Sequence, residues 1–193
     1  MAYGTSALAM LDAMTAHHLD GDRRLVSIDP NQATDWDDIG VRNVQRAGYA
    51  DSFTLDRRPN YLALPALVAE GFEADVVFVD GWHTFDHTFL DVWYADKLLR
   101  IGGVLILHDF TMPGVYRAAR ALMAHRDYGH HREYEVVRPR VNRAVSPARR
   151  WLHRRRHGFT HVVDASAWAR TGMAVLCKQS VQVSDDWAHY RRF

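Results

Sequence analysis

The sequence predicts an α/β fold: a doubly wound, mostly parallel sheet in a three-layer αβα arrangement. Three observations lead there. Short apolar runs rich in β-branched residues alternate with helix-length amphipathic segments, the pattern that packs helices on a parallel sheet. Successive runs end in an acid, at Asp29, Asp56, Asp80 and Asp109. The last two runs are joined by too few residues for a crossover helix, so they predict an antiparallel hairpin. The 193 residues are read as a single domain, long enough to bury a sizeable core.

The elements follow in order. A glycine turn at Gly4 leads into a helix over 6–17, with Ala7, Leu8, Leu11 and Met14 on its apolar face. Doubly wound domains place a strand before their first glycine turn. None precedes this one, so either the sheet lacks a central strand or the reading frame opens inside a longer domain. The second is favoured because the remaining layout is complete. Residues 25–28 form a strand stopped by Pro30. A helix over 31–47 packs through Trp36, Ile39, Val44 and Ala47 and ends at Gly48. A strand over 52–55 leads to Asp56, and a helix around Leu62, Leu64, Leu67 and Val68 follows, with Pro65 near its start. Residues 74–79 make the clearest buried strand. Thr84 caps a helix running to about residue 100, with Phe85, Phe89, Val92, Trp93, Leu98 and Leu99 inward. Gly102 and Gly103 turn into a strand over 104–107. Pro113 opens a helix through about residue 123 in the favoured first-turn position. Residues 159–163 and 173–178 form the final hairpin.

Composition narrows the function. A net charge of +1 gives no global pull toward nucleic acid or an anionic membrane. The single cysteine, Cys177, rules out an internal disulfide and suits the cytoplasm. No apolar stretch approaches the ~18 residues of a membrane span, and the N-terminus lacks the pattern of a signal peptide. Positive charge is almost all arginine and gathers in an Arg- and His-rich insertion over 125–157. That stretch reads first as a solvated segment or lid. A homo-oligomer contact and phosphate binding are its other readings. The aromatic tail residues Trp187, Tyr190 and Phe193 are expected to dock on the domain.

The segment Asp80-Gly81-Trp82-His83, then Leu98-Leu99-Arg100-Ile101-Gly102-Gly103 and His108-Asp109, resembles the class I S-adenosylmethionine-dependent methyltransferases. The likeness is to their bacterial D-G-x-H, L-L-x-x-G-G, H-D branch, and it covers residues 3–178. It implies a Rossmann-like fold whose last strand runs antiparallel. It also implies S-adenosyl-L-methionine as cofactor and methyl transfer to a hydroxyl of a small molecule, such as a sugar or natural product. By the resemblance, Tyr3, Gly4, Thr5 and Ser6 are the end of the loop around the cofactor's methionine part. Asp29 matches the acid that accepts the ribose hydroxyls, and Asp56 falls where the family contacts adenine. The acid that ordinarily holds the cofactor's amino group has no counterpart.

The resemblance to metal-assisted O-methyltransferases assigns Asp80 and Asp109 to a divalent metal, with His108 beside them and Asp80 also near the cofactor. Mg²⁺ is the first expectation, and Mn²⁺ and Fe²⁺ also suit a set that includes histidine. His83 is the first choice of general base, with His108 competing, because histidine titrates near neutral pH. His87 is expected to be structural. Two other readings stay open. One is a non-catalytic or truncated domain of this type. The other is RNA binding or modification through the arginine cluster.

Overall fold

Strand and helix alternate as far as residue 125 in the computed structural model, which describes residues 1–17, 23–130 and 172–181. Two units emerge, Met1–Leu67 and Val68–Phe193. The expected strand over 159–163, the aromatic tail and the arginine-rich segment beyond residue 130 lie outside the described residues.

In the first unit, α1 (Thr5–Ala16) is followed by β1 (Leu25–Ile28), α2 (Gln32–Trp36) and α3 (Ile39–Arg46). A 3₁₀ turn (Ala50–Ser52) then leads into β2 (Phe53–Asp56). The two strands pair in parallel, Leu25 opposite Phe53 and Ile28 opposite Asp56. Ala7 and Leu11 of α1 and Val44 of α3 form the core, with Leu8, Leu25, Tyr49 and Phe53 against them. The single helix expected over 31–47 is corrected to two. Asp37 and Asp38 both take left-handed backbone, at φ 46° and 54°. Aspartate tolerates that region better than most residues. The Asp37 and Asp38 carboxylates then pair with Arg42 at 3.0 Å and Arg57 at 2.9 Å. Next comes α4 (Asn60–Ala69), which contains Pro65 and buries Ala63, Leu64 and Leu67.

The second unit holds β3 (Ala74–Val79), α5 (Phe85–Leu98), β4 (Leu99–Leu107), α6 (Pro113–His125), β5 (Tyr128–His130) and β6 (Ala174–Lys178). Its strands lie in the order β3-β4-β6-β5. The β3–β4 pair is parallel, and β6 runs antiparallel to both β4 and β5, as the hairpin reading required of the last strand. Leu105, Leu107, Ala174 and Leu176 bury one sheet face against Val92 and Ala95 of α5 and Val115, Ala118, Ala119 and Leu122 of α6. The β3–β4 register shifts between Ala74 and Val76, where the facing stretch of β4 from Leu99 to Val104 includes Gly102 at φ 81°. Two expectations of burial are corrected. Among the described residues β3 stands at one end of the strand order, and Val76 is 50% exposed. On α5, Phe85, Phe89 and Trp93 are 37–40% exposed, and the buried stripe is Thr88, Val92, Ala95, Asp96 and Leu98. Small residues let α5 approach Ala118 and Ala119 of α6; the aromatic stripe is too bulky for that contact.

A buried polar cluster joins this sheet to α5. The Lys178 ammonium donates to the Asp96 and Leu99 carbonyls and stands 3.7 Å from the Asp96 carboxylate. Arg126 Nε and the Tyr128 hydroxyl donate to the same carboxylate, each at 3.0 Å. Burial, with the Asp96 charge and hydrogen bond, pushes the Tyr128 phenol up, so it remains a donor. Removing one partner of such a set leaves an uncompensated buried charge. Asp96→Ala is expected to lower the unfolding free energy by about 3–5 kcal/mol, read from urea midpoints. Asp75→Ala, which breaks the exposed pair with Arg100, is expected to change the midpoint little.

Candidate functional site

The carboxyl ends of β3 and β4 bring four side chains together. Asp80 follows the last residue of β3, and Gly81, Trp82 and His83 form the loop into α5. The His108 N–H donates to the Val79 carbonyl at 3.0 Å, which carries the parallel pairing past Leu107 and sets His108 beside Asp80. Neighbouring residues of an extended strand point to opposite faces. Asp109 escapes that alternation because its backbone is left-handed, at φ 48°. Its carboxylate Oδ2 consequently lies 3.1 Å from His108 Nδ1. The turn is held by the Asp109 carbonyl, which accepts from the Met112 N–H at 2.8 Å as α6 begins.

The four groups form a closed set. His108 Nδ1 lies 3.0 Å from Asp80 Oδ1, and His83 Nε2 lies 3.1 Å from Asp109 Oδ2 and 3.6 Å from Asp80 Oδ1. One potential ligand atom from each residue stands within 4.8 Å of the others. Both nitrogens are buried at the atom and have no hydrogen-bond partner, although carboxylate oxygens are at contact distance. Two imidazole nitrogens and two carboxylate oxygens gathered this way fit a divalent cation. The side chains themselves stay 33–41% exposed, which leaves the centre an approach from solvent.

The His83 loop is held from two sides. Thr88, buried in α5, donates its hydroxyl to the Trp82 carbonyl at 3.5 Å. Gly114 of α6 lies against the loop so closely that a Cβ there would stand 2.5 Å from the His83 carbonyl oxygen. Thr84 is the N-cap residue of α5, as expected, but makes no side-chain capping bond. Trp82 is 63% exposed and stacks on His87.

The remaining expected site residues lie in the first unit. Tyr3, Gly4, Thr5 and Ser6 make the turn into α1, with Gly4 at φ 84°. Gly4 and Gly40 touch: a Cβ on Gly4 would lie 2.9 Å from the Gly40 oxygen. Asn43 Nδ2 donates to the Tyr3 carbonyl at 3.0 Å, and the Tyr3 ring meets Trp36 edge-on at 5.0 Å. Asp29 stands at the end of β1 with both oxygens engaged. Oδ2 accepts from the Met1 ammonium at 2.6 Å and from Gln32 Nε2 at 3.1 Å, and Oδ1 accepts from the Asn31 N–H at 2.9 Å. Burial by itself raises the Asp29 carboxyl, but the ammonium and these donors outweigh it and hold it below its ordinary value. Asp56 is claimed by Arg58, whose side chain and backbone N–H donate to it at 2.6–3.1 Å; the Arg58 hydrogen bond is the main cause of its lowered pKa.

Two residues escaped the sequence reading. Gln32 is fully buried and links Asp29 to the Gly40 N–H, which donates to its Oε1 at 2.9 Å. Its only signal was its place in the first turn after the acid. Gly114 gave no signal, since its role depends on a contact far along the chain.

Residues 1–110 match a family described as a methyltransferase domain. The crystal structure of cofactor-bound Rv0187 from MTB is similar at 18% identity and a TM-score of 0.45, covering 65% of this chain and 79% of that one. No curated protein matches at a significant level.

Two outcomes are expected here. A carboxyl whose folded pKa lies below its ordinary value of 3.8 adds stability above that pH and loses it as pH falls through the folded pKa. Asp29→Asn should therefore flatten the acid limb of the stability profile below about pH 4, measured by denaturant melts across pH. Gly114→Ala should force the His83 loop and α6 apart, at a cost of about 1–3 kcal/mol in the same melts.

Proposed function

The chain belongs to the methyltransferase-domain family, an S-adenosylmethionine-dependent class, and on that premise we propose that it methylates a hydroxyl of a small molecule with help from a divalent metal. One observation carries the reading. Asp80, His108 and Asp109 gather on adjacent strand ends, with His83 beside them and two buried nitrogens lacking hydrogen-bond partners. Carboxylate and imidazole are the groups that hold such an ion. When bound there, the ion would supply Lewis-acid chemistry, fixing an acceptor oxygen and lowering its proton affinity.

The remaining work falls to the chain. When bound, S-adenosylmethionine would supply an activated methyl group to an acceptor oxygen, whose hydroxyl proton would pass to water or a side chain. The reaction needs oxygen, carbon and sulfur in line, so positioning supplies much of the rate. Asp80 and Asp109 are brought together by the ends of the strands that precede them. In the first unit, Gly4 lets the turn into α1 pack against the Gly40 backbone, and the start of α1 is the proposed place for the donor's carboxylate. Asp29 is the proposed ribose acceptor, held in place by Gln32 and the Asn31 N–H. Asp56 is the proposed adenine-side residue, with Arg58 fixing it.

Calorimetry with S-adenosylmethionine, followed by transfer of a labelled methyl group to a panel of hydroxylated small molecules, tests the proposal. Binding, and transfer that chelation abolishes and a divalent ion restores, are the expected results. Asp29→Ala should weaken cofactor binding about tenfold or more, the loss of charge-assisted hydrogen bonds. Transfer indifferent to chelation would remove the metal from the proposal, and no cofactor binding would remove the donor.

A further inference from the structure

We infer that His83 is a fourth metal ligand rather than the general base, and that the completed set of two imidazoles and two carboxylates selects a first-row transition ion over Mg²⁺. The inference rests on the metal reading of Asp80, His108 and Asp109 given above and names the ion that site takes.

The contacts are specific about which atoms share the centre. His83 Nε2 and His108 Nδ1 both face the same two oxygens, Asp80 Oδ1 and Asp109 Oδ2. The four separations are 3.6, 3.1, 3.0 and 3.1 Å, and they close a ring in which nitrogen and oxygen alternate. Donors bound to one ion at about 2.1 Å stand about 3.0 Å apart at right angles and about 3.4 Å apart in a tetrahedron. Three of the observed separations, 3.0–3.1 Å, match the right-angle spacing, and the fourth, 3.6 Å, lies just beyond the tetrahedral one. Neither nitrogen has a hydrogen-bond partner, and a cation at the centre would engage both nitrogens and both carboxylates at once.

The same geometry argues against His83 as base. A base must offer its lone pair to an incoming hydroxyl. His83 Nε2 is buried at the atom and turned toward Asp80 and Asp109. His83 is also fixed: Gly114 abuts its carbonyl, and Thr88 holds the preceding Trp82 carbonyl. A rigid carrier suits a ligand, whose position must be held to a fraction of an ångström.

Ligand chemistry then decides the ion. Mg²⁺ takes oxygen ligands and keeps its waters, whereas imidazole favours Fe²⁺, Zn²⁺ and their neighbours, and Mn²⁺ accepts both. Two nitrogens against two oxygens place the site on the transition-metal side. Four protein ligands leave two positions of an octahedron for an acceptor oxygen and water.

The test uses the full chain, stripped with chelator and reloaded with Mn²⁺ alone. Pulsed electron paramagnetic resonance should show nitrogen couplings from two imidazoles, and titration should give Mn²⁺ an affinity about a hundredfold or more above Mg²⁺. His83→Gln and His108→Gln should each remove one nitrogen coupling and weaken Mn²⁺ about tenfold or more, while Mg²⁺ affinity moves little. Thermal melts of the two variants check that they fold. Nitrogen coupling from one imidazole only, or equal affinity for Mg²⁺ and Mn²⁺, would overturn the inference. Two-nitrogen Mn²⁺ binding in a protein that transfers no methyl group would sustain it and sink the hydroxyl-methylation proposal instead.

Discussion

The hydrogen bond from the His108 N–H to the Val79 carbonyl carries the parallel pairing of β3 and β4 one step past the strands themselves. The candidate site depends on that step. Parallel pairing in register places Val79 opposite Leu107, so the residues that follow, Asp80 and His108, emerge side by side. A slip of one residue would send the side chains to the other face. The chemistry at the strand ends is therefore set by backbone register and the cores beneath it. Leu105 and Leu107, fully buried against α5 and α6, hold that register by fixing which face of β4 points inward.

The same helices that bury the sheet also fix the His83 loop. α6 supplies Val115, Ala118, Ala119 and Leu122 to the core, and its first turn supplies Gly114 to the loop of His83. α5 supplies Val92 and Ala95 to the core and Thr88 to the Trp82 carbonyl. At the far side of the sheet, Lys178 and Arg126 converge on Asp96, tying β6 and the start of β5 to α5 by charge where the apolar contacts end. Packing and site are thus built from the same few turns. Changes that loosen one loosen the other.

Much of this was legible because the signals are local. β1 and β3 are short β-branched runs with clear stops, and the structure gives them the expected limits. Asp80, His83, His108 and Asp109 were picked out as chemistry-bearing residues, and the structure gathers them. Less legible features needed information from a distance. α5 carries two apolar stripes, and sequence periodicity favours the aromatic one. The closeness of α6 selects the smaller stripe of Thr88, Val92 and Ala95. The break at Asp37 and Asp38 was hidden because aspartate also serves inside helices, and its left-handed conformation leaves no mark in composition. The burial of His83 Nε2 opposite two carboxylates is likewise a fact of three dimensions.

The left-handed backbone of Asp109 has a consequence for how this position can vary over time. Two separate filters act on it. The conformation admits glycine, asparagine and aspartate at low cost and taxes most other side chains by roughly 1–2 kcal/mol. The chemistry admits a carboxylate. Glutamate passes the second filter and is penalised by the first, while asparagine and glycine do the reverse. Aspartate alone satisfies both, so drift at this position has no neutral neighbour to step through. A lineage that abandoned the carboxylate could still keep the turn, and with it the fold, by way of asparagine or glycine. The identity of residue 109 would then record whether the chemistry, rather than the architecture, had been retained.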